Sequence, residues 1–294
     1  MKHSAFLKQA LLLAAIAING FVANAQILWK ISGNGAKNSY VLGTHHVAPA
    51  AILDSIDGFD DAFSSCTRLY GEVNMENATK EMMLQAQKYM MAPADSTLGK
   101  VLTADEMRIV DTATQKYFHT PASKFDMLKP AALSTQIAVM QAAATFTDFD
   151  PAKQIDAVLQ QMAKEKGMTI NGFETVEYQL QLLFGTPVSL QVQDLMKMLR
   201  DETKYMEYSK MLAEIYSRQD LSSMYELINN PDLGMTKYEL DTIINGRNAT
   251  WAAQLDTILP QASTFIVVGA GHLPGEKGLL SLLRKAGYTV TPVN

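Results

Sequence analysis

The chain has 294 residues, a formal net charge of −5 at pH 7 and a single cysteine, Cys66. The acidic balance argues against nucleic acid and anionic membrane surfaces as partners, and one cysteine excludes an intramolecular disulfide. The length suffices for one large domain with a sizeable core.

The first 25 residues have the pattern of an export signal. Lys2 and Lys8 form a basic start, Ala10–Ile18 is an apolar core, and Ala23–Ala25 (Ala-Asn-Ala) fits a small-x-small cleavage site. We expect cleavage after Ala25, an exported protein in the periplasm or outside the cell, and no stable membrane anchor after cleavage. An uncleaved N-terminal anchor is the alternative, but the apolar run is short for a membrane span.

Three strands are predicted at the start of the mature chain. Ile27–Ser32 and Ser39–Gly43 flank a Gly/Asn-rich segment that favours a hairpin turn. The second strand continues to Thr44-His45-His46. Arg68–Val73, which contains Glu72 near its end, follows a short helix, and this β-α-β order predicts a strand parallel to the second and beside it.

Helical patterns dominate residues 77–167 and 175–258. Thr103 begins a capping box for a helix to about Phe118, and Pro130 is expected to interrupt a later helix. Between the two helical blocks Met168–Phe173 predicts a fourth strand that runs into Glu174.

The C-terminal part predicts a fifth strand, a helix and a closing strand, at Thr264–Val268, Glu276–Ala286 and Tyr288–Val293. The fold class is therefore α/β: one domain, residues 26–294, with a central mixed sheet of about six strands. The two helical blocks are insertions that we expect to cover the carboxyl ends of the strands.

Two short boxes repeat the same construction at opposite ends of the chain. Tyr-Val-Leu-Gly-Thr-His-His ends at His46, and Ile-Val-Val-Gly-Ala-Gly-His ends at His272. In each box an apolar strand reaches a glycine, and a histidine follows three positions later. Because sites in α/β folds collect at the carboxyl ends of strands, we expect both imidazoles at one site. Shared metal ligation would place them well within roughly 10 Å of each other.

Glu72 lies at the end of another predicted strand and Glu174 directly follows a fourth, so four strand ends each supply one histidine or glutamate. Two imidazoles and two carboxylates suit a divalent cation such as Mn, Co or Zn. The same groups suit metal-free acid–base catalysis on a water molecule. Taken singly, each histidine fits a structural role, and each glutamate fits N-terminal capping of a helix.

Arg247 and Asn248 form a polar pair on an otherwise amphipathic helix before Trp251. The pair either lies on the surface or holds a substrate carboxylate or a developing oxyanion.

These motifs together resemble the TraB/GumN family, which includes the Tiki proteases. The resemblance rests on the Gly-Thr-His-His box, Glu72, Arg247-Asn248 and the C-terminal box, together with Ile155-Asp156 and the Gly-Phe-Glu-Thr that contains Glu174. It covers essentially the whole mature chain. Asn74, Gln154 and Gly246 depart from the pattern, where the family commonly has Asp, Gly and Glu.

The resemblance implies a fold similar to erythromycin esterase and ChaN-type proteins and, for Tiki members, metal-dependent proteolysis. Carried over by position, His46, Glu72, Glu174 and His272 are the candidate catalytic or metal-binding residues. We therefore expect a peptide or protein substrate and a metal-polarised carbonyl, with Glu72 at a solvated strand tip as ligand or general base. The alternatives are a metal-free esterase with a Glu–His pair and a ChaN-like protein that binds metal or haem without turnover.

Overall fold

The computed structural model describes residues 26–75, 80–146, 149–150 and 153–293. The predicted export signal and its cleavage site lie outside the described residues. In the part of the chain that is described, no helix is long and apolar enough to cross a membrane.

One six-stranded mixed sheet organises the fold, which confirms the predicted α/β class. Its order is β4-β3-β5-β2-β1-β6. The first four strands in this order are parallel, whereas β1 pairs antiparallel with both of its neighbours. The strands are β1 Leu28–Ser32, β2 Ser39–Thr44, β3 Arg68–Val73, β4 Thr169–Glu174, β5 Thr264–Gly269 and β6 Thr289–Pro292.

The hairpin between β1 and β2 forms where the glycines predicted it. Gly33, Asn34 and Gly35 have φ values of 78°, 45° and 76°. Glycine and asparagine tolerate this left-handed region best, and the chain reverses there without strain.

β5 lies in the middle of the parallel part of the sheet, between β3 and β2. Its first five residues are buried, as expected for an apolar strand covered on both faces. The prediction that β3 lies beside β2 is therefore wrong. β3 is parallel to β2, but β5, which comes last of the three in the sequence, separates them.

Helices fill the connections. Pro130 begins a helix at its first position, where its missing N–H costs nothing, so the expected interruption there is wrong. The last helix begins three residues later than predicted. The α-helices are α1 Phe59–Ser64, α2 Lys80–Met90, α3 Leu98–Val101, α4 Ala104–Phe118, α5 Pro130–Ala143, α6 Ile155–Glu165, α7 Val176–Phe184, α8 Val188–Arg200, α9 Glu202–Ser217, α10 Leu221–Ile228, α11 Lys237–Glu239, α12 Gly246–Ile258 and α13 Leu279–Lys285.

Among the described residues, most of the buried apolar side chains belong to one of two clusters. The larger surrounds the sheet and includes Leu69, Phe265 and Trp251. The smaller lies among α3, α4, α5 and α8 and includes Leu98 and Leu133. Helices of the two blocks thus bury apolar surface against each other as well as against the sheet.

Candidate active site

Three of the four predicted side chains, His46, His272 and Glu72, meet around Gly269 at the carboxyl ends of the parallel strands, and Glu174 is joined to them through Arg247. β2 and β5 are adjacent, with Thr44 opposite Gly269. A Cβ atom placed on Gly269 would lie 3.4 Å from Glu72 Oε1, 3.5 Å from His272 Cδ2 and 3.9 Å from His46 Nε2. The structure therefore brings both imidazoles and Glu72 to a single point, from strands that are far apart in the sequence.

The His46 ring is fixed by Asp156, the second residue of α6. His46 Nδ1 lies 2.9 Å from Asp156 Oδ2, and Thr44 Oγ1 donates to Asp156 Oδ1 at 2.9 Å. A carboxylate oxygen only accepts, so Nδ1 carries the proton. His46 thus turns its Nε2 towards Gly269, while its side chain remains 63% exposed.

The surroundings of His46 favour its charged form. Desolvation opposes the positive charge, but the hydrogen bond to Asp156, then the charges of Asp156 and Glu72, outweigh it and raise the pKa of His46 to about 9. His46 is therefore an imidazolium at neutral pH when no metal ion competes with the proton.

His272 has the opposite state. Asn248 donates through Nδ2 to the carbonyls of His272 and Lys277, so its Oδ1 accepts from His272 Nδ1–H at 2.7 Å. His272 Nε2 then accepts from Arg247 Nη1 at 3.2 Å, because a guanidinium only donates. Burial is the main cause that lowers the pKa of His272, to about 3. The negative charge of Glu72 opposes this, and the positive charges of Arg247 and His46 add to it.

Glu72 lies inside the site and is only 11% exposed, so the expectation of a solvated strand tip is wrong. Its Oε1 accepts from the Gly269 N–H at 2.9 Å, and its Oε2 from Arg247 Nη2 at 2.5 Å.

Glu72 is ionised at neutral pH. Burial opposes its ionisation, but the positive charges of Arg247 and His46 and the hydrogen bond from the Gly269 N–H outweigh it and hold the pKa of Glu72 well below its usual range. Since His272 is itself neutral, the cations that act on Glu72 near pH 7 are Arg247 and His46.

Glu174 lies on the other side of Arg247 and is 7% exposed. Arg247 donates to both of its oxygens, each at 2.9 Å, and Trp251 and Gln179 supply the remaining contacts at 3.0 and 3.1 Å. Thr175, not Glu174, caps the following helix, which excludes the capping alternative. With all these donors in place, Glu174 is an anchor for Arg247 and would bind a metal ion only by giving up those contacts.

Arg247 and Asn248 are buried, with exposed fractions of 6% and 0%, so they are not a surface pair. A π-helical turn, Leu240–Asn245, precedes them and leads directly into α12. The Ile243 carbonyl of that turn accepts from Arg247 Nη1 at 3.1 Å. The turn thus helps to place the guanidinium between Glu72 and Glu174.

The donor types at Gly269 fit a divalent cation in part. His46 and His272 each tie Nδ1 to a protein oxygen and direct Nε2 inward, the usual arrangement of metal-binding histidines, and Glu72 adds a carboxylate oxygen. Within the described ranges, however, no group of three or more His, Cys, Asp or Glu side chains is already arranged to hold an ion. Binding through His272 Nε2 would require Arg247 Nη1 to release that nitrogen.

Two residues join the site that the sequence analysis gave no role. Asp156 is part of the Ile155-Asp156 match to the family pattern, but its hydrogen bond to His46 could not be predicted from the sequence. Gln179 gave no signal, yet its Nε2 donates to Glu72 Oε2 and Glu174 Oε2, both at 3.1 Å. It bridges two carboxylates that converge only in the folded chain.

The three departures from the family pattern have local structural contacts. Asn74 Nδ2 donates to the Ile170 carbonyl at 2.9 Å, a bond that an aspartate cannot donate. Gln154 pairs with Pro49 in an isolated β-bridge, and Gly246 is the first residue of α12.

Comparison with known proteins agrees with these motifs. The sequence model of the TraB/PrgY/gumN family matches residues 27–292. An uncharacterized protein of Treponema pallidum (strain Nichols) is 24% identical over 282 residues, a match that covers 88% of this chain and 80% of that protein. No solved structure matches the chain.

Proposed function

The chain belongs to the TraB/PrgY/gumN family, and on that premise we propose that it is an exported hydrolase that cleaves peptide bonds with the help of a divalent metal ion. The observation that carries the proposal is the convergence of His46 Nε2, His272 and Glu72 Oε1 on Gly269. Such convergence from three strand ends, with each side chain held by a further polar group, is typical of a preorganised catalytic centre.

In this proposal His46, His272 and Glu72 hold the ion, for which Mn, Co and Zn are the candidates. A bound ion supplies a Lewis acid for the scissile carbonyl and lowers the pKa of an attached water. Asp156 and Asn248 orient the two imidazoles. Arg247, anchored on Glu174, holds Glu72 ionised and in place and offers positive charge beside a developing oxyanion.

The test begins with mature protein whose intact mass shows a first residue of Gln26. Its metal content is measured before and after chelation, followed by digestion of a peptide library with and without added Mn, Co or Zn. We expect bound metal, cleavage that chelation abolishes, and recovery with at least one ion. Peptide cleavage that survives complete metal removal would contradict the role of the ion.

A second candidate is metal-free hydrolysis, and one observation favours it. Arg247 Nη1 already donates a hydrogen bond to His272 Nε2, the nitrogen that a metal ion would need. His46 and Asp156 form a hydrogen-bonded pair of the kind that serves general acid–base catalysis. This candidate predicts ester hydrolysis that is indifferent to chelators. Bound metal or haem without turnover of either substrate class would instead indicate a binding protein.

A further inference from the structure

A groove of about 810 Å³ lies among the helices that follow the third and fourth strands, within the range of roughly 300–1,000 Å³ found for ligand sites. Its walls come from α5, α7, α8 and the segment that leads into the π-helical turn. Four large apolar side chains on these walls are exposed by 46 to 68%, namely Tyr178, Leu183, Leu190 and Tyr238. So much exposed apolar surface in one concave region indicates a binding surface.

The groove adjoins the candidate active site through two walls. On α7, Gln179 contacts Glu72 and Glu174. Leu182 and Leu183, which line the groove, follow Gln179 by one helical turn and therefore share its face. Another lining residue, Ile243, accepts from Arg247 through its carbonyl. A chain lying in the groove would therefore lead towards the site at Gly269.

The charge of the groove is negative. Its lining holds two carboxylates, Asp194 and Glu239, and one cation, Lys197. Burial and the nearby charge of Glu239 raise the pKa of Asp194 against the smaller effect of Lys197, so an added positive charge there would relieve repulsion.

We propose that this groove binds an extended segment of the peptide substrate that carries apolar side chains and one basic side chain, with the basic group beside Asp194 and Glu239. The inference rests on the proposed peptidase function and names its substrate class. Apolar walls supply affinity, and the carboxylates select for Lys or Arg over acidic residues.

The test measures binding, separately from turnover. Two fluorescent peptides that differ only in one central Lys or Glu are titrated against the wild type, Asp194→Lys and Leu190→Asn. We expect the wild type to favour the Lys peptide by at least ~10-fold and Asp194→Lys to lose or reverse that preference. Leu190→Asn should weaken both peptides alike, because it removes apolar contact surface without changing the charge of the groove. Glu165→Lys, an exposed charge reversal at the far end of α6, should behave as the wild type.

The outcomes separate the two proposals. Peptides that bind with this charge preference but are not cleaved would support the groove as a peptide-binding site and contradict the peptidase function. The melting temperatures of both groove variants show whether they are folded. If the folded variants cleave peptides with unchanged kcat/KM, the peptidase function is supported and the role of the groove in substrate binding is contradicted.

Discussion

At the scale of single residues, the two imidazoles of the site differ in charge because their surroundings differ. His46 donates to the Asp156 carboxylate, which stabilises its imidazolium. His272 is buried, which is the main reason that it stays neutral, and the positive charge of Arg247 beside its Nε2 acts in the same direction. The pKa of His46 rises to about 9 and that of His272 falls to about 3. Near neutral pH the metal-free site therefore holds one charged and one neutral ring.

This difference gives a prediction for the Asp156→Asn variant. In chelated wild-type protein, NMR of labelled histidines should show His46 protonated up to about pH 9. Removing the charge of Asp156 should bring the pKa of His46 down towards its ordinary value of 6.5. Asp61→Asn, which removes an exposed carboxylate on α1, should leave it unchanged, and an equal shift in both variants would contradict the pairing.

The same shift has a consequence for stability. A pKa raised from 6.5 to about 9 on folding adds stability that is complete below pH 6.5 and is lost as the pH rises through 9. In the wild type the melting temperature of metal-free protein should therefore fall over this window, and Asp156→Asn should show a smaller fall.

At the scale of elements, the site depends on how closely the strand ends approach one another. Gly43 on β2 packs against the turn that follows β5, and a Cβ there would meet Leu273 Cδ1 at 2.8 Å and Ala270 Cα at 2.9 Å. At Gly269 the backbone has φ −53°, and the space that a Cβ would enter is bounded by His46, His272 and Glu72. Gly43 thus permits close packing of the backbone, and Gly269 leaves the centre of the candidate site open.

We expect Gly269→Ala to reduce activity with little change in stability, and Gly43→Ala to reduce stability. The Gly269→Ala methyl group makes contacts of 3.4 Å and longer, so folding should be almost unaffected, but it fills the point of convergence and activity should fall by ~10²-fold or more. Gly43→Ala should lower the free energy of unfolding by about 1–3 kcal/mol through overpacking. Thermal unfolding and turnover of both variants check this, and a fully active Gly269→Ala protein would place the chemistry elsewhere.

At the scale of the whole molecule, much of the architecture follows from local sequence patterns. The two strand-Gly-x-x-His boxes predicted that His46 and His272 meet, because the ends of parallel strands lie at one edge. The position of β5 between β2 and β3 was not predictable, since the apolar sequence of a strand buried on both faces does not indicate which strands lie beside it.

The burial of Arg247 and the part played by Gln179 were also beyond sequence reasoning. Arg247 is buried because Glu72 and Glu174, from two different strands, surround it, and such pairing exists only in the folded chain. The sequence predicted that Pro130 interrupts a helix, whereas it begins α5. Proline is found at both kinds of position, and the residues around Pro130 do not distinguish them.

The most direct test of the account is the turnover of Glu72→Gln measured together with its thermal unfolding. In this variant Arg247 keeps its hydrogen bonds to both oxygens of Glu174, so the free energy of unfolding should fall by only about 1–3 kcal/mol. The amide cannot act as base or anionic ligand, so activity should fall by ~10²–10⁴-fold, whereas Glu214→Gln, an exposed change on α9, should alter neither. A folded Glu72→Gln protein that cleaves its substrate at the wild-type rate would contradict the claim that hydrolysis takes place at Gly269.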